Sequence, residues 1–204
     1  MKRLKHRGVL IAVIAVVVIA AAAVTIVLLL SGSSEESKAR QYLQVAHDLS
    51  RQVALNQQKL LDQGKKLTAF FNTIQNITPE TATAMKGFFN DLVKDVDAIN
   101  VAAQATKPEY DKIIALNDVT DFKKYAQNRL SALELINQRS QLIKQDAAIY
   151  NVAIDQAASG QPTNDAQIVA EKTPIEDQIN AIQKEIEKLN TQAADLAGKL
   201  KIEF

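Results

Sequence analysis

The stretch PIEDQINAIQKEIEKLNTQAADLAGKL, residues 174–200, decides the reading of this chain. Its seam of apolar residues is Ile175, Ile179, Ile182, Ile186, Leu189, Ala193, Leu196 and Leu200, which recur in alternating steps of four and three. A mean step of 3.5 residues carries an apolar stripe along one side of an α-helix and asks for other helices to cover it. Lys184, Glu185, Glu187 and Lys188 flank the stripe, as the exposed charges of a coiled coil do.

The same step recurs upstream. One stripe runs Tyr42, Ala46, Leu49, Val53, Asn56, Leu60, Gln63, Leu67, Phe70, Ile74 and Ile77; a second runs Met85, Phe89, Leu92, Val96, Ile99 and Ala103. A third runs Phe122, Ala126, Arg129, Leu133, Ile136, Ser140, Ile143, Ala147, Tyr150 and Ile154. Its polar members Arg129 and Ser140 are expected to meet Asn56 or Gln63 in a layer that fixes register. Thr78-Pro79-Glu80, Pro108-Glu109, Thr120-Asp121 and Thr173-Pro174 with Glu176 read as helix starts, the last as a capping box. Ser159-Gly160-Gln161-Pro162 is the strongest stop.

These signals predict helices over about 36–76, 79–106, 120–158 and 164–203, with a short helical piece over 108–117 and a kink or restart at Pro174. Short connections make neighbours antiparallel, so the expected fold is all-α, an up-down-up-down four-helix bundle with coiled-coil-like heptad packing. Antiparallel pairing of the first two helices would bring Phe70-Phe71 level with Phe88-Phe89, as a core aromatic layer rather than an exposed apolar tip.

Val9–Leu30 carries no charge, and Thr25 is its only polar side chain. At 1.5 Å per residue it would extend about 33 Å as a helix, the thickness of a bilayer core and too long for a secretory signal. Lys2, Arg3, Lys5 and Arg7 precede it and Glu35 and Glu36 follow it, an asymmetry that keeps the amino terminus in the cytoplasm. The expected organisation is a basic cytoplasmic segment 1–8, a single-pass transmembrane helix 9–30, a linker 31–35 and an extracytoplasmic bundle 36–204 in a bacterial cell membrane. A cut after Ser33 is the alternative to an uncleaved anchor.

Beyond residue 30 the chain holds 20 basic residues, 24 less the four named, against 23 acidic ones. That balance offers no basic stripe for nucleic acid. The absence of cysteine excludes disulfides, thiolate metal sites and lipidation of a cysteine. His47 has Leu43 and Arg51 four residues to either side, not metal-ligand partners. Asp91, Asp95 and Asp97, with Lys94 among them, read as a solvated face. Asn76-Ile77-Thr78 has the form of a glycosylation sequon but is followed by Pro79. No glycine-rich phosphate loop or strained nucleophile turn is present. No catalytic, cofactor-binding or metal-binding residue is therefore assigned, no cofactor or small-molecule substrate is expected, and the chain does not read as an enzyme.

Leu30-Ser31-Gly32 at the membrane exit, Lys123-Lys124-Tyr125, Asp146-Ala147-Ala148-Ile149-Tyr150 and Ile179-Asn180 carry a resemblance over roughly the last 85 residues. The chain resembles the cell-wall-binding lipoprotein family of Gram-positive bacteria, whose members place helical hairpins after an N-terminal export segment. The resemblance implies an envelope protein that touches the wall. Ser33 stands where the family carries its lipidated cysteine, so a lipid anchor is excluded here. The expected function is structural or interactive, with a cell-wall polymer or a protein as partner. The alternatives are a bitopic envelope or division assembly factor, which pairs its helices with another chain, and a phage- or plasmid-encoded exclusion protein.

Overall fold

The computed structural model describes residues 34–74 and 77–202. The expected membrane helix Val9–Leu30, the cytoplasmic segment and Ser31–Ser33 lie outside the described residues, as does Asn76 of the sequon. Among the described residues no helix is long and apolar enough to cross a membrane.

Four helices make up the described chain, and it contains no strand: α1 Glu35–Phe71, α2 Pro79–Ala115, α3 Thr120–Ala158 and α4 Asp165–Leu200. Ser34 caps α1 by accepting from the Ser37 N–H at 3.2 Å, and Glu35 and Glu36 complement the positive end of the dipole. Thr78 and Thr81 form a reciprocal capping box at α2, with the Thr81 hydroxyl in the place usually taken by a glutamate. After α3, Gly160 turns left-handed at φ 73° while its N–H donates to the Ala157 carbonyl and the Gln161 N–H to that of Gln156. That is a Schellman stop, at the place where the Ser-Gly-Gln-Pro run predicts one.

Two expectations need correction. The piece over 108–117 is not separate, because α2 runs without a break through Pro108 to Ala115. Likewise α4 begins at Asp165 under an Asn164 cap and passes through Pro174. The Thr173 capping box does not form: Thr173 donates to the Val169 carbonyl at 2.7 Å, and Glu176 pairs with Lys172 at 2.7 Å. A proline inside a helix frees the carbonyl four residues back. Here those carbonyls belong to Gln104 and Ala170, both on exposed faces with the prolines themselves, so water can satisfy them. Past Pro108, burial of Tyr110 and Ile113 holds the helix to the core.

Cross-helix contacts fix the directions. Asn56 donates to the Ala98 carbonyl at 3.2 Å, and the rings of Phe70 and Phe88 lie 5.2 Å apart, so α1 and α2 are antiparallel. Lys107 meets Glu134 at 3.1 Å, and Lys86 meets Asp155, which sets α2 against α3. Tyr150 and Lys172 join at 2.6 Å, which sets α3 against α4. Arg40 donates to the Leu200 carbonyl at 3.1 Å, bringing the start of α1 to the end of α4.

The aromatic layer forms only in part. Phe89 is buried and stacks on Tyr150 at 5.3 Å, whereas Phe71 is 36% exposed and stays outside it.

The core is uneven along the bundle. At one end Leu43, Ala46, Ile99, Tyr110, Ile113, Phe122, Leu133, Ile186 and Ala193 bring all four helices together. At the other end the buried residues are Ala82, Met85, Phe89, Ala147 and Ile154, joined by Leu67 and Phe70, with none from α4. The helix with the cleanest stripe thus buries only Ile186, Ala193 and Ala197, while Ile175, Ile179 and Ile182 stay half-covered against α3. Successive helices pack on each other; α4 packs closely on α3 alone, and its first half shares no core with α1 or α2.

Truncation should reveal that gradient. Ile99→Ala, at a fully buried position, is expected to cost about 2–5 kcal/mol in urea unfolding of the full chain. Ile175→Ala, half-covered on α4, is expected to cost less, about 1 kcal/mol, because much of its surface is already in water.

Candidate functional site

Among the described residues no three histidine or acidic side chains gather as a metal site. Asp91 pairs with Lys94 at 2.7 Å along α2, and Asp97 reaches across to Lys144 on α3, so Asp91, Asp95 and Asp97 do not converge. Glu185 and Lys188 form an exposed pair at 3.0 Å on α4. Ser140 is buried. The expected layer of Arg129 and Ser140 with Asn56 or Gln63 does not form as such: Asn56 faces Ala98 on α2, and Arg129 turns to other partners.

Those partners come together in a polar cleft. Between α1 and α4, over a floor made by α3, runs a trough. One cavity of about 280 Å³ is lined by Ser50, Gln57, Arg129, Leu133, Arg139 and Gln183, with others. A second, of about 420 Å³, continues past Arg129 and Asn190 to His47, Tyr125, Ala197 and Ile202. Arg129 Nε donates to the Tyr110 hydroxyl at 3.4 Å, and one outer nitrogen donates to Asn190 Oδ1 at 2.6 Å, a strut across the trough. The Tyr110 hydroxyl also lies 3.4 Å from Ser50 Oγ. Ten residues further on, an outer nitrogen of Arg139 donates to Gln183 Oε1.

No carboxylate lies within ion-pair distance of either guanidinium among the described residues. Glu187 is the near exception in kind: Gln183 donates to it at 2.7 Å and so stands between it and Arg139. Burial opposes the charge on both arginines. It lowers the pKa of Arg139, whose Nε is buried without a partner; at Arg129 the Tyr110 hydroxyl, which accepts from Nε, opposes it and the net shift is upward. Burial also pushes the Tyr125 hydroxyl up to about 12, so it remains a neutral donor. A half-buried cation without a counter-ion destabilises a fold, because neutral acceptors replace the lost hydration of a guanidinium only in part. Two of them in one trough are chemically suited to receive an anion.

No protein-family model matches this chain, and neither a curated protein nor a solved structure matches it significantly. The site therefore rests on its own chemistry.

Sequence reasoning singled out Arg129 but passed over Arg139, Tyr110, Gln183 and Asn190. A signal for both arginines was available. The residues three and four away from Arg129 are Tyr125, Ala126, Ala132 and Leu133, and those from Arg139 are Leu135, Ile136, Leu142 and Ile143. An arginine with only apolar or aromatic neighbours on its own helix must take its partner from another helix or from a ligand.

His47 sits at the rim beside Arg129, Arg51 and Asp48. Burial, reinforced by the two arginines and opposed by Asp48, lowers its pKa below the ordinary value. The unfolded chain therefore binds the proton at a higher pH than the folded one, and stability falls as pH drops through about 6.5. Urea midpoints of the full chain are expected to decrease from pH 7.5 to 5.5, and His47→Asn should flatten that slope.

Proposed function

We propose that this chain is an interaction module of the bacterial envelope: a helical bundle held outside the membrane by the apolar segment 9–30, which engages its partner in the trough between α1 and α4. The observation that supports this reading is the pair Arg129 and Arg139, half-buried and without ion-paired carboxylates in a polar groove between α1 and α4. The near-neutral balance beyond residue 30 disfavours binding by bulk charge, whereas two desolvated guanidiniums act at short range, where water screens them least. A wall polymer bearing carboxylates and phosphates is a partner of matching chemistry, and it agrees with the family resemblance.

A second reading has its own observation. The first half of α4 leaves Ile168, Ile175 and Ile179 half-covered and Val169 57% exposed, a face that a helix of another chain would complete. This is the assembly-factor alternative.

Co-sedimentation of the full-length chain, in a non-ionic detergent, with isolated cell-wall material separates the two. Trough engagement of the wall is expected to place most of the protein in the pellet at low salt, and the double variant Arg129→Gln, Arg139→Gln in the supernatant. Sedimentation that the double variant leaves unchanged would rule out the trough. A wild-type chain that stays in solution would favour a protein partner on α4.

A further inference from the structure

We propose that the trough is a receptor for a peptide-borne carboxylate: Arg139 grips it in a two-bond fork through Nε and its free outer nitrogen, and Arg129 supplies a second positive charge. The inference rests on the trough being the engaged surface and adds the chemical class of what enters it.

Three observations carry it. First, Arg139 spends one outer nitrogen on Gln183, while its Nε is buried and unpartnered. The Nε and the other outer nitrogen form the edge of a guanidinium that matches the two oxygens of a carboxylate or phosphate. Water replaces a buried N–H bond poorly, so an oxyanion there recovers hydrogen bonding that the fold leaves unmade. Second, Arg129 and Arg139 are separated by about 15 Å of helix rise, and the floor between them is Ala132, Leu133 and Ile136. The ligand thus joins an anionic group to an apolar one. Third, Ser50, Gln57, Gln183 and Asn190 line the same walls. Hydroxyls and carboxamides both donate and accept, which suits the alternating N–H and C=O groups of a peptide better than the bare oxygens of a phosphate or the chains of a lipid. A cavity of about 280 Å³ has room for a short segment and not for a whole helix, whose diameter with side chains is about 10–12 Å.

The Glu187 carboxylate, held behind the Gln183 amide, does not occupy this place. It keeps the site from being indiscriminately cationic, and it disfavours a ligand with several closely spaced charges.

The test is a calorimetric titration of the full-length chain in non-ionic detergent with three probes: a capped tripeptide carrying glutamate between two leucines, the same tripeptide with glutamine, and inorganic phosphate. The glutamate peptide is expected to bind at least tenfold more tightly than the glutamine peptide and than phosphate. Arg139→Gln should weaken it about tenfold, and Arg139→Lys, which keeps the charge but not the fork, at least threefold. Lys94→Gln, on the far exposed face of α2, should change nothing. Helicity and melting temperature of the Arg139→Gln variant are expected to equal or exceed those of the original chain, because a desolvated charge has been removed. Equal binding of the glutamate and glutamine peptides, or an Arg139→Lys variant that binds like the original, would overturn the fork. Phosphate that binds as tightly as the peptide would overturn the peptide assignment. Peptide binding without wall sedimentation would retain the receptor and dismiss the wall as its source.

Discussion

The rest of the structure depends on a coverage constraint: each helix carries a stripe about two residues wide that water disfavours, and every stripe needs a neighbour. Stripes with a 3.5-residue step are satisfied by antiparallel rods, and tight turns make consecutive rods the neighbours. In this chain α2 and α3 are the inner rods, and α4 depends on α3. Helix α3 packs on α2 along one side and α4 along the other, and its buried positions from Phe122 to Ile154 run almost its whole length. Coverage then runs out. At the end where α1 begins and α4 finishes, side chains of all four helices share one core around Tyr110 and Ile186, although α1 and α4 do not pack closely on each other. At the opposite end the core belongs to α1, α2 and α3, with α4 lying against α3 alone.

The trough lies at the first of these ends, where α1 and α4 face each other across α3 without packing closely. Were α1 and α4 in contact throughout, Arg129 and Arg139 would be sealed in an apolar core, and their charge would be unsupportable. With the two helices held apart, both guanidiniums reach the gap and use carboxamides from α4 as anchors. Carboxamides orient a guanidinium without neutralising it, and this leaves the positive field available to a ligand. A short-range field of this kind is invisible in the net charge, which is close to zero beyond residue 30.

Much of the fold was legible. Helix number, order and most boundaries follow from the stripes and from Thr78-Pro79 and Ser159-Gly160, because caps and left-handed turns are decided by a few local residues. The prolines at 108 and 174 misled for a physical reason: a proline breaks a helix when the freed carbonyl is buried, and whether it is buried depends on the neighbouring helix. The fourth stripe misled in the opposite sense. Its regularity reports that α4 is helical and amphipathic, but not how many helices cover it. Of the site, Arg129 stood out as an interruption of its stripe, whereas Arg139 sits one position beside a stripe and shows itself only through its apolar helical neighbours. That Gln183 and Asn190 come opposite these arginines is a matter of register between α3 and α4, which no single-helix pattern contains.

The central claim is therefore that all four helices share one core at one end of this bundle and only three at the other, with α4 packed on α3 alone over its first half. Native-state amide hydrogen exchange on the full chain tests it most directly. The account predicts that amides near Leu43, Ile99 and Leu133 exchange only through global unfolding, while those over 168–182 exchange through a smaller opening that leaves α1, α2 and α3 intact. Protection over 168–182 equal to that of the Ile99 region would contradict it.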